Sequence, residues 1–280
     1  MEVVRARAMG FCFGVQRAMA ALEKEARAHK EPVYLLGKLV HNRQAVERLE
    51  TMGARVVSSL DDVPAGGRVV ISTHGMGPEV RAQAEARGLR VIDATCPFVG
   101  RIHRVVAQMA RDGFTIFVFG DSGHKEVKGI LAWAGGVATP VQSAAEVVTS
   151  ARKIALVSQT TKNIDAYRRL VQEVVGQYLG KISELRVADT ICDATEQRQA
   201  AAVDLARQVD VMLVVGGADS ANTKRLGELC EAAGTTTHVI EEASQVDPAW
   251  LAGKSRVGVT AGASTPDWVV DEVVRRLQGL

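Results

Sequence analysis

Four cysteines in 280 residues are too few for a disulfide scaffold. No Cys-x-x-Cys pair occurs, so the spacing does not announce zinc. No apolar run approaches the ~20 residues that cross a bilayer. The strongest runs, Phe114 to Gly120 and Val211 to Gly217, have strand length. The N-terminus, MEVVRARAMG, lacks the apolar core of a signal peptide. A cytoplasmic location with reduced thiols is therefore expected. An excess of one charge is missing too: 34 basic and 32 acidic residues leave +2. That balance gives no sign of nucleic acid or an anionic membrane as an obligate partner. There is no GxxxxGK[ST] and no GxGxxG, so nucleotide binding has no support. Low-complexity segments and linkers are absent. What remains is an ordinary globular composition, 47% hydrophobic and 24% charged. The length allows one to three domains, burying about 75% of the unfolded chain's surface.

Short apolar runs alternate with amphipathic, Ala- and charge-rich stretches. Strands are expected at Val33–Gly37, Arg68–Ser72, Leu89–Ile92, Phe114–Phe119, Lys153–Val157, Val209–Val215, Thr236–Ile240 and Arg256–Val259. They are continuous and rich in Val and Ile, the pattern of strands buried on both faces. Helices are expected near 14–29, 42–52, 78–87, 97–111, 163–179, 195–208, 222–233 and 266–278. Alternation of this kind implies an α/β protein with mostly parallel sheets covered by helices. Strand after strand ends in a small or polar cluster that opens a helix: ISTHGMGPE, FVFGDSGHKE, LVSQTTKN, LVVGGADSANTK and GVTAGASTPD. In open parallel sheets, ligands bind beyond the carboxyl ends of the strands. Helix capping alone also accounts for any one cluster. Ser264 or Thr265 before Pro266 reads as an N-cap with Pro at the first helical position.

Cys12 (MGFCFGV), Cys96 (DATCPFV) and Cys192 (DTICDAT) each lie just before an expected helix. They are spaced by 84 and 96 residues, about one third of the chain each. Cys230, in RLGELCEAAG, falls inside a helix instead. A helix N-terminus favours the thiolate, which is the metal-binding form. Three such thiolates turned toward a common centre could hold a four-iron cluster and leave one iron without a protein ligand. Three unrelated buried thiols would give the same spacing. His41 (GKLVHN), His74 (STHGMG) and His124 (GDSGHKE) fall at strand or loop ends, where imidazoles with hydroxyls and helix N-termini suit a polyanion. His29 and His103 fall on helices and His238 in a strand, and they are set aside. Glu126 is a proton donor if buried, or a solvated partner of Lys125 or Lys128 if not.

Taken together, these residues resemble the LytB/IspH family, the reductases that complete the non-mevalonate isoprenoid pathway. The resemblance covers nearly the whole chain. Its markers are GFCFGV, LVHN, STHG, DATCP, GHKE, SQTT, TIC, the Ser220-x-Asn222 segment and TAGAS. It implies three similar α/β lobes, arranged as a pseudo-threefold trefoil around a central iron–sulfur cluster. The lobes are expected to span 1–96, 97–191 and 192–280. It implies one 4Fe-4S cluster on Cys12, Cys96 and Cys192, with Cys230 a bystander. His41, His74, His124, Thr160, Thr161, Ser220, Asn222 and Ser264 would hold an isoprenoid diphosphate. Glu126, with Thr160 or Thr161, would direct protons during two-electron reductive removal of the substrate's hydroxyl. Electrons would come from an external carrier such as ferredoxin or flavodoxin. Ala221 departs from the serine expected there, so one phosphate contact would be absent or made by backbone N–H. Two other readings remain open at this point. One is a non-catalytic metal-binding or redox-sensing protein with a structural zinc site. The other is an α/β protein that binds a sugar phosphate or an amino acid.

Overall fold

The computed structural model describes residues 1–40 and 42–280. Its twelve strands form three four-stranded sheets. The first sheet contains β2 (Val33–Leu36), β3 (Ala54–Val57), β4 (Arg68–Ile71) and β5 (Arg90–Asp93), in the order β3-β2-β4-β5. The second contains β6 (Thr115–Phe119), β7 (Ala138–Val141), β8 (Lys153–Ser158) and β9 (Glu184–Val187), ordered β7-β6-β8-β9. The third contains β10 (Val211–Val215), β11 (Thr236–Ile240), β12 (Arg256–Ala261) and β1 (Glu2–Arg5), ordered β1-β12-β10-β11. The pairs β2–β4, β4–β5, β6–β7, β6–β8, β8–β9, β10–β11, β10–β12 and β1–β12 are all parallel.

The three orders are one topology. Within each lobe the spatial order is second, first, third, fourth strand. In the third lobe the fourth strand comes from the other end of the sequence, because Glu2 pairs with Arg256 and Arg5 with Val259. The chain thus repeats one α/β lobe three times, the third copy closing across the two ends of the sequence. All eight expected strands are present.

Around the sheets lie α1 (Phe13–Ala28), α2 (Arg43–Thr51), α3 (Pro78–Ala86), α4 (Pro97–Arg111), α5 (Lys125–Trp133), α6 (Ile164–Tyr178), α7 (Asp193–Ala206), α8 (Ala221–Ala232) and α9 (Asp267–Gln278). Central strands are covered on both faces, as their unbroken apolar runs require. In β10, Val211, Leu213 and Val215 face one core with Val269 and Val273, while Met212 and Val214 face another with Ala202 and Leu226. In the second lobe, Ile116 and Val118 meet Ile102 and Val106 of α4, while Phe117 and Phe119 meet Tyr167 and Leu170 of α6. Thus α4, which follows the last strand of the first lobe, covers the sheet of the second. Among the described residues, no helix is long and apolar enough to cross a membrane.

The chain divides into two compact units. One comprises Met1–Arg27, Val40–Ala54 and Asp193–Leu280 and holds the third sheet. The other comprises Ala28–Leu39 and Arg55–Cys192 and holds the second sheet and nearly all of the first.

Candidate active site

The lobe repeat places the singled-out residues at matching positions. Two residues beyond the third strand of each lobe, a carbonyl accepts the backbone N–H of a cysteine. Cys96 donates to Thr73 at 3.0 Å, Cys192 to Thr160 at 3.0 Å and Cys12 to Ala263 at 3.2 Å. One residue further on stand His74, Thr161 and Ser264. Five residues beyond the first strand of the second and third lobes stand His124 and Ser220, which cap α5 and α8. The matching sequence position in the first lobe is His41, which lies outside the described residues.

Each of the three cysteines precedes a helix, as expected. Cys96 is the N-cap of α4 with Pro97 at N1, Cys12 directly precedes α1, and Cys192 directly precedes α7. All three are half-buried, and none of the four cysteines is in a disulfide. Cys230 differs in every respect. It is fully buried in α8, its thiol points at the Ala202 carbonyl at 3.9 Å, and burial pushes its pKa up to about 11. A thiol held protonated in an apolar core is a poor metal ligand. Each of the three sulfurs taken by itself, soft, half-buried and at a helix start, suits iron–sulfur ligation in its chemistry, although among the described residues no three His, Cys, Asp or Glu side chains are gathered as a metal site.

His74 and His124 come together within one unit. Their rings meet edge to face with centroids 5.3 Å apart. Nδ1 of His124 accepts the backbone N–H of Glu126 at 3.2 Å, as in the neutral tautomer with its proton on Nε2. Ser72 Oγ lies 3.5 Å from Nδ1 of His74. A cleft of about 930 Å³ runs beyond the carboxyl ends of β2 and β4. Ser72 and Gly75, which flank His74, line it together with Lys125 and Lys128.

Glu126 is not the solvated partner of a lysine. It is 2% exposed, and Thr160 grips both of its oxygens. The Thr160 N–H donates to Oε1 and its hydroxyl to Oε2, each at 2.7 Å. Burial raises the pKa of this carboxyl, and the two Thr160 hydrogen bonds oppose the shift in part. Of the two threonines, Thr160 is the one hydrogen-bonded to the acid. Thr161 Oγ1 instead accepts from Gln159 Nε2 at 3.0 Å.

In the other unit, Asn222 is 5% exposed, and neither its Oδ1 nor its Nδ2 has a hydrogen-bond partner among the described residues. Buried amides are rarely left so. Ser220 Oγ accepts the Thr223 N–H at 3.3 Å, and Ala221 opens α8 behind it. One capping expectation is corrected. Helix α9 starts at Asp267 with Pro266 in the N-cap position, and its cap makes no side-chain hydrogen bond. The Thr265 hydroxyl donates instead to the Val215 carbonyl at 3.0 Å, tying the loop to the end of β10. Ser264 is buried beside it.

Two supporting residues are not among the candidates that the sequence singles out. Arg198 of α7 is buried and donates to three carbonyls: Gly10 at 3.0 Å, Phe11 at 3.1 Å and Ala194 at 2.8 Å. It fixes the loop that carries Cys12 to the first turn of α7. Gln159 bridges two site loops, accepting the Asp121 N–H at 3.0 Å while donating to Thr161. Only its place inside the SQTT marker points to Gln159. Nothing local singles out Arg198.

Known proteins resemble this chain over nearly its whole length. The profile of the family described as LytB protein matches residues 3–278. The 4-hydroxy-3-methylbut-2-enyl diphosphate reductase of Dehalococcoides mccartyi is 44% identical over 283 positions, covering 100% of this chain and 99% of that one. The enzyme of the same name from Geobacter sulfurreducens is 44% identical, covering 99% and 97%. A solved structure of (E)-4-hydroxy-3-methyl-but-2-enyl diphosphate reductase, the terminal enzyme of the non-mevalonate pathway, superposes with a TM-score of 0.75 at 37% identity over 100% of both chains. The Plasmodium falciparum E-1-hydroxy-2-methyl-but-2-enyl-4-diphosphate reductase superposes at 0.93 with 29% identity, covering 99% of this chain and 88% of that one.

Proposed function

The chain belongs to the LytB protein family, and on that premise we propose that it is a 4-hydroxy-3-methylbut-2-enyl diphosphate reductase. The reaction replaces an allylic hydroxyl with hydrogen. Two electrons and two protons enter, water leaves, and isopentenyl or dimethylallyl diphosphate results. The observation that carries the reading is the thrice-repeated hydrogen bond from a helix-start cysteine to the loop after a central strand.

Cys12, Cys96 and Cys192 would hold one 4Fe-4S cluster. When bound, the cluster supplies electrons singly and offers the substrate hydroxyl a Lewis-acidic iron that no cysteine occupies. An external one-electron carrier of the ferredoxin or flavodoxin class would recharge it. His74 and His124, with His41, donate to the diphosphate, and charge-assisted bonds of this kind are worth roughly 1.5–3 kcal/mol each. Ser220, Asn222 and Ser264 would bind the substrate as well, as the family resemblance implies, and the unpaired Asn222 amide would gain partners in doing so. Anchoring the diphosphate orients the allylic end, which is the main service a binding pocket renders to catalysis. Burial shifts Glu126 toward its protonated form, and in that form the acid would donate to Thr160 Oγ1, reversing the present bond, while the Thr160 hydroxyl gives its own proton toward the departing oxygen. Thr161 is held off the acid by Gln159 and serves substrate binding. Protonation of the resulting allyl species then fixes the product.

Anaerobic purification with iron analysis tests this. Cys12→Ser, Cys96→Ser and Cys192→Ser should each lose iron and activity, and Cys230→Ser should keep both. A colourless zinc-loaded protein, or equal iron loss in Cys230→Ser, overturns the reading.

A further inference from the structure

His103 takes no part in the chemistry above, yet the structure places it behind the site. It lies on α4 and is only 5% exposed. Its ring stacks on Trp133, the last residue of α5, with centroids 5.6 Å apart and planes 18° from parallel. Trp133 in turn donates its indole N–H to the Met76 carbonyl at 2.8 Å. Met76 stands two residues after His74. The imidazole edge faces two glycines, one from each wall of the site. A Cβ on Gly75 would lie 2.6 Å from Cε1 of His103, and one on Gly129 would lie 3.2 Å from its Nε2. Gly75 follows His74 directly, and Gly129 sits in α5 one turn past Glu126. The ring is thus a wedge between the loop that carries His74 and the helix that carries Glu126 and is capped by His124.

The wedge has an energetic oddity. Nε2 of His103 has no hydrogen-bond partner among the described residues. Burial, the largest cause, pushes the pKa of the ring down to about 4, so it is neutral at physiological pH. A position that tolerates an unpaired buried nitrogen breaks a rule that proteins break mostly near functional sites.

We propose that His103 is a positioning residue whose ring, clamped on Trp133, sets the spacing between His74 and the His124–Glu126 end of α5. The proposal deepens the reductase reading and rests on it for the identity of the ligand. Three variants test it. His103→Ala empties the wedge. His103→Phe keeps a flat ring and needs no partner for a nitrogen. Gly129→Ala pushes the ring from the other side while adding a residue that favours helix. The first readout is the NMR resonances of the His74 and His124 imidazoles, which report their mutual geometry without any turnover. The second is the split between KM and kcat in holoenzyme, with iron per chain measured alongside.

In His103→Ala and Gly129→Ala both imidazoles should shift, and KM should rise by about tenfold, the scale of a sub-ångström misplacement. Iron content should stay at the wild-type level, and Gly129→Ala should melt no lower than wild type. His103→Phe should recover most of the KM. If His103→Ala does not fold, Gly129→Ala tests the same spacing alone. Unmoved imidazoles in Gly129→Ala, or a His103→Phe as impaired as His103→Ala, would overturn the proposal. Wild-type holoenzyme that reduces no allylic diphosphate would overturn the reaction instead, and the imidazole shifts would still report on the spacing.

Discussion

Glu126 stands between Lys125 and Val127 in the sequence, and its chemistry is set by neither. The residue that matters is Thr160, 34 positions away, whose N–H and hydroxyl both point at the carboxyl. Sequence alone leaves Glu126 divided between a proton donor and a solvated partner of lysine, because burial is a tertiary fact. The same limit hides Arg198, whose three carbonyl partners include two that lie 187 and 188 residues away. His103 reads in sequence as an ordinary helix histidine, since stacking on Trp133 leaves no trace in local pattern. The cysteines are legible because a helix start is a local signal that a residue type either occupies or does not. Burial of Glu126 also makes a pH prediction. The native state keeps its proton above the ordinary value of 4.5, where the unfolded chain has already lost it. Unfolding then releases no proton at low pH but gives one up as pH rises, so stability falls from mildly acid toward neutral pH. Glu126→Gln removes that slope. Denaturant titrations should show the variant at least as stable as wild type at neutral pH, with the gap closing in acid. Turnover should drop by about 10²–10⁴-fold, the usual worth of a positioned general acid, with iron retained. Near-normal turnover would take Glu126 off the proton path.

At the scale of elements, the four strands without a sequence signal share one property. All of β1, β3, β7 and β9 are edge strands, four residues long, with at most one buried position each. A strand with a neighbour on one side only needs no unbroken Val/Ile run, so the cue for doubly buried strands fails there. In β7 the pattern is interrupted by Pro140, which is tolerable at an edge because no second neighbour needs its missing N–H. Periodicity does not delimit helix α5, although the GDSGHKE cluster that opens it is plain. The punctuating clusters are the stronger guide, because capping chemistry is local. Asn163 closes the LVSQTTKN cluster and accepts the Ala166 N–H at 3.0 Å as N-cap of α6. Asn163→Ala should lose about 1 kcal/mol in denaturant titrations, and Asn163→Asp should lose much less, since Asp caps as well as Asn. Equal losses in the two would mean that the side chain acts through some other contact.

At the scale of the whole chain, the third sheet joins the two ends of the sequence. Three lobes share one strand order, and the third closes only when β1 joins β12 across a separation of 254 residues. No period search along the chain reveals this, because the third copy is cut and its fourth strand moved to the front. The ends of that lobe are close in space, since Val3 and Arg5 share a surface hollow with Val274 and Gln278. A short flexible linker from Leu280 to Met1, with new ends between Lys30 and Glu31, would put the lobes in the order first, second, third without touching a strand. Loop closure for the β1–β12 pair would then span about 30 residues, which lowers its entropic cost by about 2 kcal/mol. The pair would become local, and local pairings form early. The permuted chain should therefore refold faster than the parent, bind the same amount of iron and keep its reductase activity. Refolding slower than the parent, or loss of iron from an otherwise soluble permutant, would show that the third lobe depends on the native order of the chain rather than on the contacts of its sheet.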